Sequence, residues 1–261
     1  MSNIGSAGLV AACDHFDMPK PVSDRPDDLA QDDLAPDEPG LESGPGWRTV
    51  VRRLPELAVL ERADIELILD AGLVAHVGFT ADDRPYVLPM AYSRIGADLF
   101  LHGSVASRLV RAMASGVRVC VTVTVIDGIV LARSAFNTSM NYRSVMVMGE
   151  TEAVADPDDR AIVFEALLER LVPARYATVR PPNAAELAQT LVVRLPIEVW
   201  SAKVSAGPPD DKIEDLSFPV WAGEIPLRLV ADPPVAAPGL AQSLLVAAPL
   251  GASPGAGWSF P

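Results

Sequence analysis

The spacing of apolar residues changes several times along the chain, and each change predicts an element. Over "RADIELILDAG", Ile65, Ile68 and Leu69 recur on one helical face and Gly72 ends the run, which predicts a short helix. Three short apolar runs follow: "LVAHVGFT" (73–80), "YVLPMAYS" (86–93) and "LFLHG" (99–103). The turn-like "ADDRP" and "RIGAD" separate them, as in a meander of antiparallel strands. Pro89 has no backbone donor, so the second run is expected at a sheet edge or a bulge.

After a short helix over 105–115, "VRVCVTVTV" and "IVLARSAF" flank Asp127-Gly128, which predicts a tight hairpin. A polar loop, "NTSMN", leads into "YRSVMVMGETEAV", a further strand in which Gly149 is expected to bulge. Asp156 and Pro157 predict the cap of a helix that runs to Leu171, with Phe164, Leu167 and Leu168 at helical spacing. "NAAELAQ" reads as another helical turn, and "TLVVRLPIEVWSAKV" as one extended closing strand. About six strands under a few helices imply a mainly β fold with α elements, a small barrel.

Composition sharpens this picture. Residues 1–47 form an acidic, Pro-rich arm with no apolar period, expected to be flexible; 48–230 make the folded domain; 231–261 are an Ala/Pro/Gly-rich tail. A formal charge of −13 with no basic block argues against nucleic acid or an anionic membrane as a partner. Two cysteines, Cys13 and Cys120, and three histidines, His15, His76 and His102, show no metal-ligand spacing, so no metal site is expected. No run is long enough to span a bilayer, and a cytoplasmic protein is the expectation.

Chemistry concentrates in "LFLHGSVASRLVRAM". Here a strand delivers His102, Gly103, Ser104, Ser107, Arg108 and Arg111 into the start of a helix, a set of donors suited to a phosphate group. A capped surface helix with solvated arginines fits the same residues. In "NYRSVMVMGE", Tyr142, Arg143 and Ser144 leave a loop for a strand, where binding groups often stand on a barrel rim. Arg143 can equally pair with an acidic side chain, and Tyr142 can be core. His102 can hydrogen-bond a substrate, ligate haem iron or be structural, and His76, inside an apolar strand, reads as structural. No hydrolytic triad, Walker loop or carboxylate pair is present, so redox chemistry would come from a cofactor.

Together, "AHVGFTADDRPYVLPMAYSRIGADLFLHGSVASRLVRAM", "VCVTVTVIDGIVLARSAF" and "NYRSVMVMGE" resemble the pyridoxamine 5′-phosphate oxidase-like superfamily. They are most similar to its nitroimidazole-resistance-like, flavin-nucleotide-binding branch. The resemblance implies a six-stranded antiparallel split β-barrel with peripheral helices, a homodimer with FMN at the subunit interface and a small-molecule substrate. Ser107 and Arg108 match the pair that grips the flavin phosphate, and Leu88, Pro89, Met90 and Ala91 match the strand beside the flavin ring. Arg143 and Ser144 fall where the family presents side chains to the cofactor, and His102 matches a histidine near the substrate face. Trp200 and Lys203, in "EVWSAKVS", match the closing strand that reaches the flavin.

The chain departs from that pattern in three places. Leu109 replaces the usual lysine after the phosphate-binding arginine, leaving Arg111 as a substitute, and Arg84 replaces the first-turn glycine. The Arg-Leu-His tripeptide of vitamin B6 oxidation is absent. The expected function is an FMN-dependent oxidoreductase that moves hydride through flavin N5, with His102 as catalytic candidate. The alternatives are haem binding or haem degradation with His102 as ligand, a deazaflavin in place of FMN, or a non-catalytic flavin-binding module.

Overall fold

The computed structural model describes residues 50–240 and the strand Trp258–Ser259. All of these lie in the compact unit Leu41–Pro261. The acidic arm 1–47 falls outside the described residues, as do Cys13, His15 and most of the tail.

Helix α1 (Arg62–Ala71) buries Ile65, Ile68 and Leu69, the three residues its spacing picks out. Gly72 ends it with φ −77, so a left-handed cap is not what requires glycine there. A Cβ at Gly72 would stand 2.2 Å from Val123 Cγ1, so the residue is glycine for close packing. The terminal carbonyls of α1 are satisfied from elsewhere: the Tyr92 hydroxyl and the Arg170 guanidinium both donate to Leu69 O and Gly72 O. Arg170 also lies 4.2 Å over the Tyr92 ring, and burial pushes the Tyr92 hydroxyl up to about 12.

Strands β1 (Ala75–Ala81) and β2 (Arg84–Met90) form a hairpin whose turn residues, Asp82 and Asp83, both have positive φ. Strand β2 is an edge strand, so Pro89 removes no ladder donor that the sheet needs. After one residue the chain changes sheet into β3 (Tyr92–Ile95) and β4 (Asp98–Ser104), followed by α2 (Arg108–Ala114). Next come β5 (Arg118–Leu131), β6 (Ser139–Glu150), β7 (Glu152–Ala153), α3 (Pro157–Leu171) and α4 (Ala184–Ala188). Strands β8 (Thr190–Pro196), β9 (Val199–Ser205), β10 (Gly223–Pro226) and β11 (Val230–Ala231) follow, and β11 pairs with β12 (Trp258–Ser259).

One sheet has the order β2-β1-β5-β6-β9, with β10 also paired to β5; the second has the order β3-β4-β8-β7. All pairings are antiparallel. The chain crosses between the sheets at Ala91, through α2, at Thr151 and at Ile197-Glu198, closing a split barrel. Val77, Val121, Val123, Val145 and Val147 of the first sheet meet Leu99, Leu101, Val193 and Leu195 of the second, all fully buried. Each such side chain contributes roughly 1.5–3 kcal/mol of burial.

Three sequence expectations are corrected. Asp127-Gly128 is not a hairpin: neither residue has positive φ, and β5 runs through both with a register shift between Ile126 and Gly128. The strand continues because β10 pairs along it, and a Cβ at Gly128 would stand 2.6 Å from Glu224 Oε1 and 3.2 Å from Ile225 O. Gly149 does not bulge; it pairs in register with Val119, and its missing Cβ makes room for Leu195 Cδ1 at 2.9 Å. The closing strand breaks at Ile197-Glu198 into β8 and β9, which belong to different sheets.

Asp156 does cap α3, accepting from Asp158 N at 2.8 Å, and a capping box of Asn183 and Glu186 starts α4. Beyond β9, a polar clasp holds the chain to the β5–β6 turn. Arg133 donates from its backbone N and its Nη1 to the Asp211 carboxylate at 2.7 and 2.6 Å, and the Asp211 side chain is 3 % exposed. Asn137 and Asn141 add bonds to Asp210 O and Gly207 O. Among the described residues, no helix is long and apolar enough to cross a membrane, and no group of three or more His, Cys, Asp or Glu is placed to hold a metal.

Candidate functional site

The predicted site residues fall into three places. The first is the β4–α2 turn. Most of its donors already serve the chain itself: Val105 N reaches Gln189 O, Ala106 N reaches Ser104 Oγ, Ser107 N reaches Ser104 O and Val110 N reaches Ser107 Oγ. What remains for an anion includes the hydroxyl hydrogens of Ser104 and Ser107 and the guanidinium of Arg108, which is exposed and makes no ion pair among the described residues. Arg111 uses one nitrogen on Val105 O and keeps the others free. Gly103 makes room for α2 rather than for a ligand, since a Cβ there would stand 2.6 Å from Val110 Cγ2.

His102 ends β4 on the face turned toward α3. Its ring is half-buried and meets Phe164 edge-on at 5.6 Å, and burial lowers its pKa. The imidazole is therefore held neutral.

The second place is the outer face of the first sheet. Strand alternation sorts the candidates here. Pro89 lies opposite His76, His76 opposite Thr122, and Thr122 opposite Met146; Thr124, Ser144 and Lys203 form the adjoining row. Ser144 Oγ and Thr124 Oγ1 are 3.2 Å apart, and Lys203 Nζ donates to Arg53 O at 2.7 Å. Tyr142 stands on this face too, half-buried. Leu88 and Met90 turn the other way and pack on the core, with Ala91 half-buried at the crossing between sheets. Trp200 is 4 % exposed within the core, so its indole is not presented to a cofactor on this face. His76 is exposed rather than structural, because period two points Ala75, Val77 and Phe79 inward and His76 outward.

Arg143 belongs to a third place. It neighbours Ser144 in sequence but shares the parity of Val145 and Val147, and so leaves the strand on the opposite side. Its Nε and Nη2 each donate to the Asp127 carboxylate at 2.9 Å, a bidentate pair that raises its pKa. Thr151 Oγ1 donates to Met113 O, which sets α2 beside the far end of β6, about 25 Å of strand from Arg143. Within one chain, the Arg108 turn and Arg143 are thus far apart.

Beside Arg143 is a cavity of about 400 Å³. Strand β1 covers β5 from Val119 to Val123 and β10 covers it from Gly128 to Leu131. No strand pairs Thr124–Asp127 on that side among the described residues; Leu227 N alone reaches Asp127 O, at 2.8 Å. The α1–β1 loop, the gap in β5 and the segment 227–229 wall the cavity, and His76, Thr124, Arg143 and Arg228 supply its polar groups. Sequence reading missed Asp127 as the partner of Arg143, and it missed Arg228. Alternation could have separated Arg143 from Ser144, but no local pattern marks Arg228.

The sequence profile of the pyridoxamine 5′-phosphate oxidase family matches residues 61–204. No curated protein matches the chain. Among solved structures, the chain is similar to a flavocytochrome of Azotobacter vinelandii, at 38 % identity over 77 % of this chain and 93 % of that one, TM-score 0.72. It is also similar to an FAD- and haem-binding protein of Mycobacterium smegmatis, at 37 % identity over 71 % of this chain and 91 % of that one, TM-score 0.69.

Proposed function

The chain belongs to the pyridoxamine 5′-phosphate oxidase family, and from that premise we propose that it is a flavin-dependent redox protein that also binds haem. The support is that two relatives, each aligned over more than nine-tenths of its own length, are a flavocytochrome and an FAD- and haem-binding protein. A bound flavin would supply two-electron chemistry at N5, exchanging hydride with a small-molecule substrate.

The residues of this chain fit the flavin's phosphorylated tail. Arg108 offers a guanidinium with no partner among the described residues, and Ser104 and Ser107 offer hydroxyl hydrogens that their capping roles leave free. Arg111 stands in for the family's lysine. His102, neutral at the end of β4, is the group available to hydrogen-bond a substrate.

We also propose a homodimer built on the outer face of the first sheet. The rows of Cys120, Thr122 and Thr124, with their cross-strand partners, carry no carboxylate in a chain of charge −13. Such a face, with Val87 65 % exposed and Met146 and Met148 half-buried, suits a second copy. A dimer also offers a way to bring the Arg108 turn of one subunit near Pro89, Ser144 and Lys203 of the other.

The test is the absorbance spectrum of freshly purified protein, with the released cofactor identified by mass. Flavin bands with a Soret band support the proposal, and the mass separates FMN from FAD or a deazaflavin. A colourless protein that takes up neither added flavin nor added haemin refutes it.

A further inference from the structure

We infer that the cavity at the gap in β5 is the haem site, with His76 rather than His102 as the iron ligand and Arg143 and Arg228 receiving the two propionates. This inference rests on the proposed haem binding and assigns it a place.

Haem needs three things from a protein: a neutral imidazole that can reach the iron, apolar walls for the macrocycle, and cations for two carboxylates at one edge. Only two histidines lie among the described residues, and their surroundings differ. The ring of His102 is half-buried and lies edge-on against Phe164 on the α3 side of the second sheet. His76 is exposed in the single chain, where it stands at the cavity end of the face proposed for the dimer, has no hydrogen-bond or ion-pair partner among the described residues, and lines an open cavity.

The same cavity supplies the rest. Leu73, Val74, Val125, Ile126, Leu227 and Leu229 are its apolar walls. The cavity encloses about 400 Å³, so it would hold one edge of the macrocycle with the rest extending from its open side. Arg228 makes no ion pair among the described residues. Arg143 gives Nε and Nη2 to Asp127, which fixes the guanidinium plane and leaves Nη1 free to donate. The one carboxylate at the site, Asp127, is already engaged by Arg143, so it does not stand as a free charge against a propionate. Because the walls come from segments around 71–76, 124–127, 143 and 227–229, the site exists only when the segment after β10 lies against β5.

The experiment is a haemin titration of the full chain, followed by Soret absorbance and electron paramagnetic resonance. Wild type, His76→Ala, His102→Ala and Arg228→Ala are compared, with far-UV circular dichroism as the check on folding. The expected result is that His76→Ala binds at least tenfold more weakly or loses the wild-type Soret position, and that added imidazole restores it. His102→Ala should keep the wild-type spectrum, and Arg228→Ala should bind several-fold more weakly with the Soret position unchanged. A wild-type Soret and affinity in His76→Ala, or their loss in His102→Ala, overturns this assignment while leaving haem binding intact. A wild type that is yellow but takes up no haemin overturns the haem half of the proposed function, and this inference with it.

Discussion

The β4–α2 turn and the cavity beside β5 each bring two guanidinium groups together with other polar donors, but the chain treats them differently. At the turn the donors are consecutive in sequence, and folding consumes most of them in capping α2. At the cavity they come from four separated segments, and His76 and Arg228 meet no partner among the described residues. Local density of polar residues therefore marks a helix start as readily as a ligand site. Unsatisfied donors gathered from distant segments are the stronger sign of a ligand.

The largest effect expected from this contrast is at Arg108. Arg108→Ala should weaken flavin retention roughly tenfold to hundredfold, since a charge-assisted bond to phosphate contributes about 1.5–3 kcal/mol. Equilibrium dialysis would measure it, and haem uptake should not change. If both cofactors are lost together, the two regions are not independent.

Next comes Gly103→Ala, whose new methyl would press on the branched Val110 side chain and displace α2. Thermal unfolding should show a loss of about 1–2 kcal/mol, and flavin affinity should fall in parallel. The matching change at the cavity is Gly128→Ala, where the close clash is with the flexible end of the Glu224 side chain and the backbone oxygen of Ile225 stands farther off. It should cost about 1 kcal/mol or less, and hydrogen exchange should rise in 223–229. Haem affinity should drop while flavin affinity holds.

The smallest effect concerns pH. Burial holds His102 below its ordinary value in the folded state, so in mildly acidic solution the unfolded chain binds the extra proton. Stability is then full above about pH 6.5 and declines as pH falls toward the folded value. His102→Gln should flatten that part of the profile, as denaturant titrations between pH 7 and 5 would show. An unchanged slope would mean that His102 titrates as it does in water.

Much of the fold was legible because short-range physics decides it. The face of α1, the Asp156 cap, the edge position of Pro89 and the inward valines of β1 and β6 all follow from local spacing. The misreadings came where tertiary contacts outweigh local preference. Asp127-Gly128 has turn chemistry, yet pairing with β10, nearly a hundred residues later, keeps β5 extended. Gly72 and Gly149 look like a cap and a bulge, but each is a place where another side chain comes too near for a Cβ. Of the candidate site, the donors at the β4–α2 turn were visible as a cluster. Trp200, Leu88 and Met90 pack on the core, as two-residue alternation against Ser201, Val87 and Pro89 requires, and Arg228 gave no signal at all.

The buried carboxylate of Asp211 works as a pin for the segment that leads into β10. Between this pin and the first residue of β10 the chain has a fixed count of residues, and side chains in β10 change faces with every step. A one-residue slip of β10 against β5 would invert its facing, turning Leu227 and Leu229 away from the cavity and bringing Arg228 round. The register of that pairing decides which side chains become the roof.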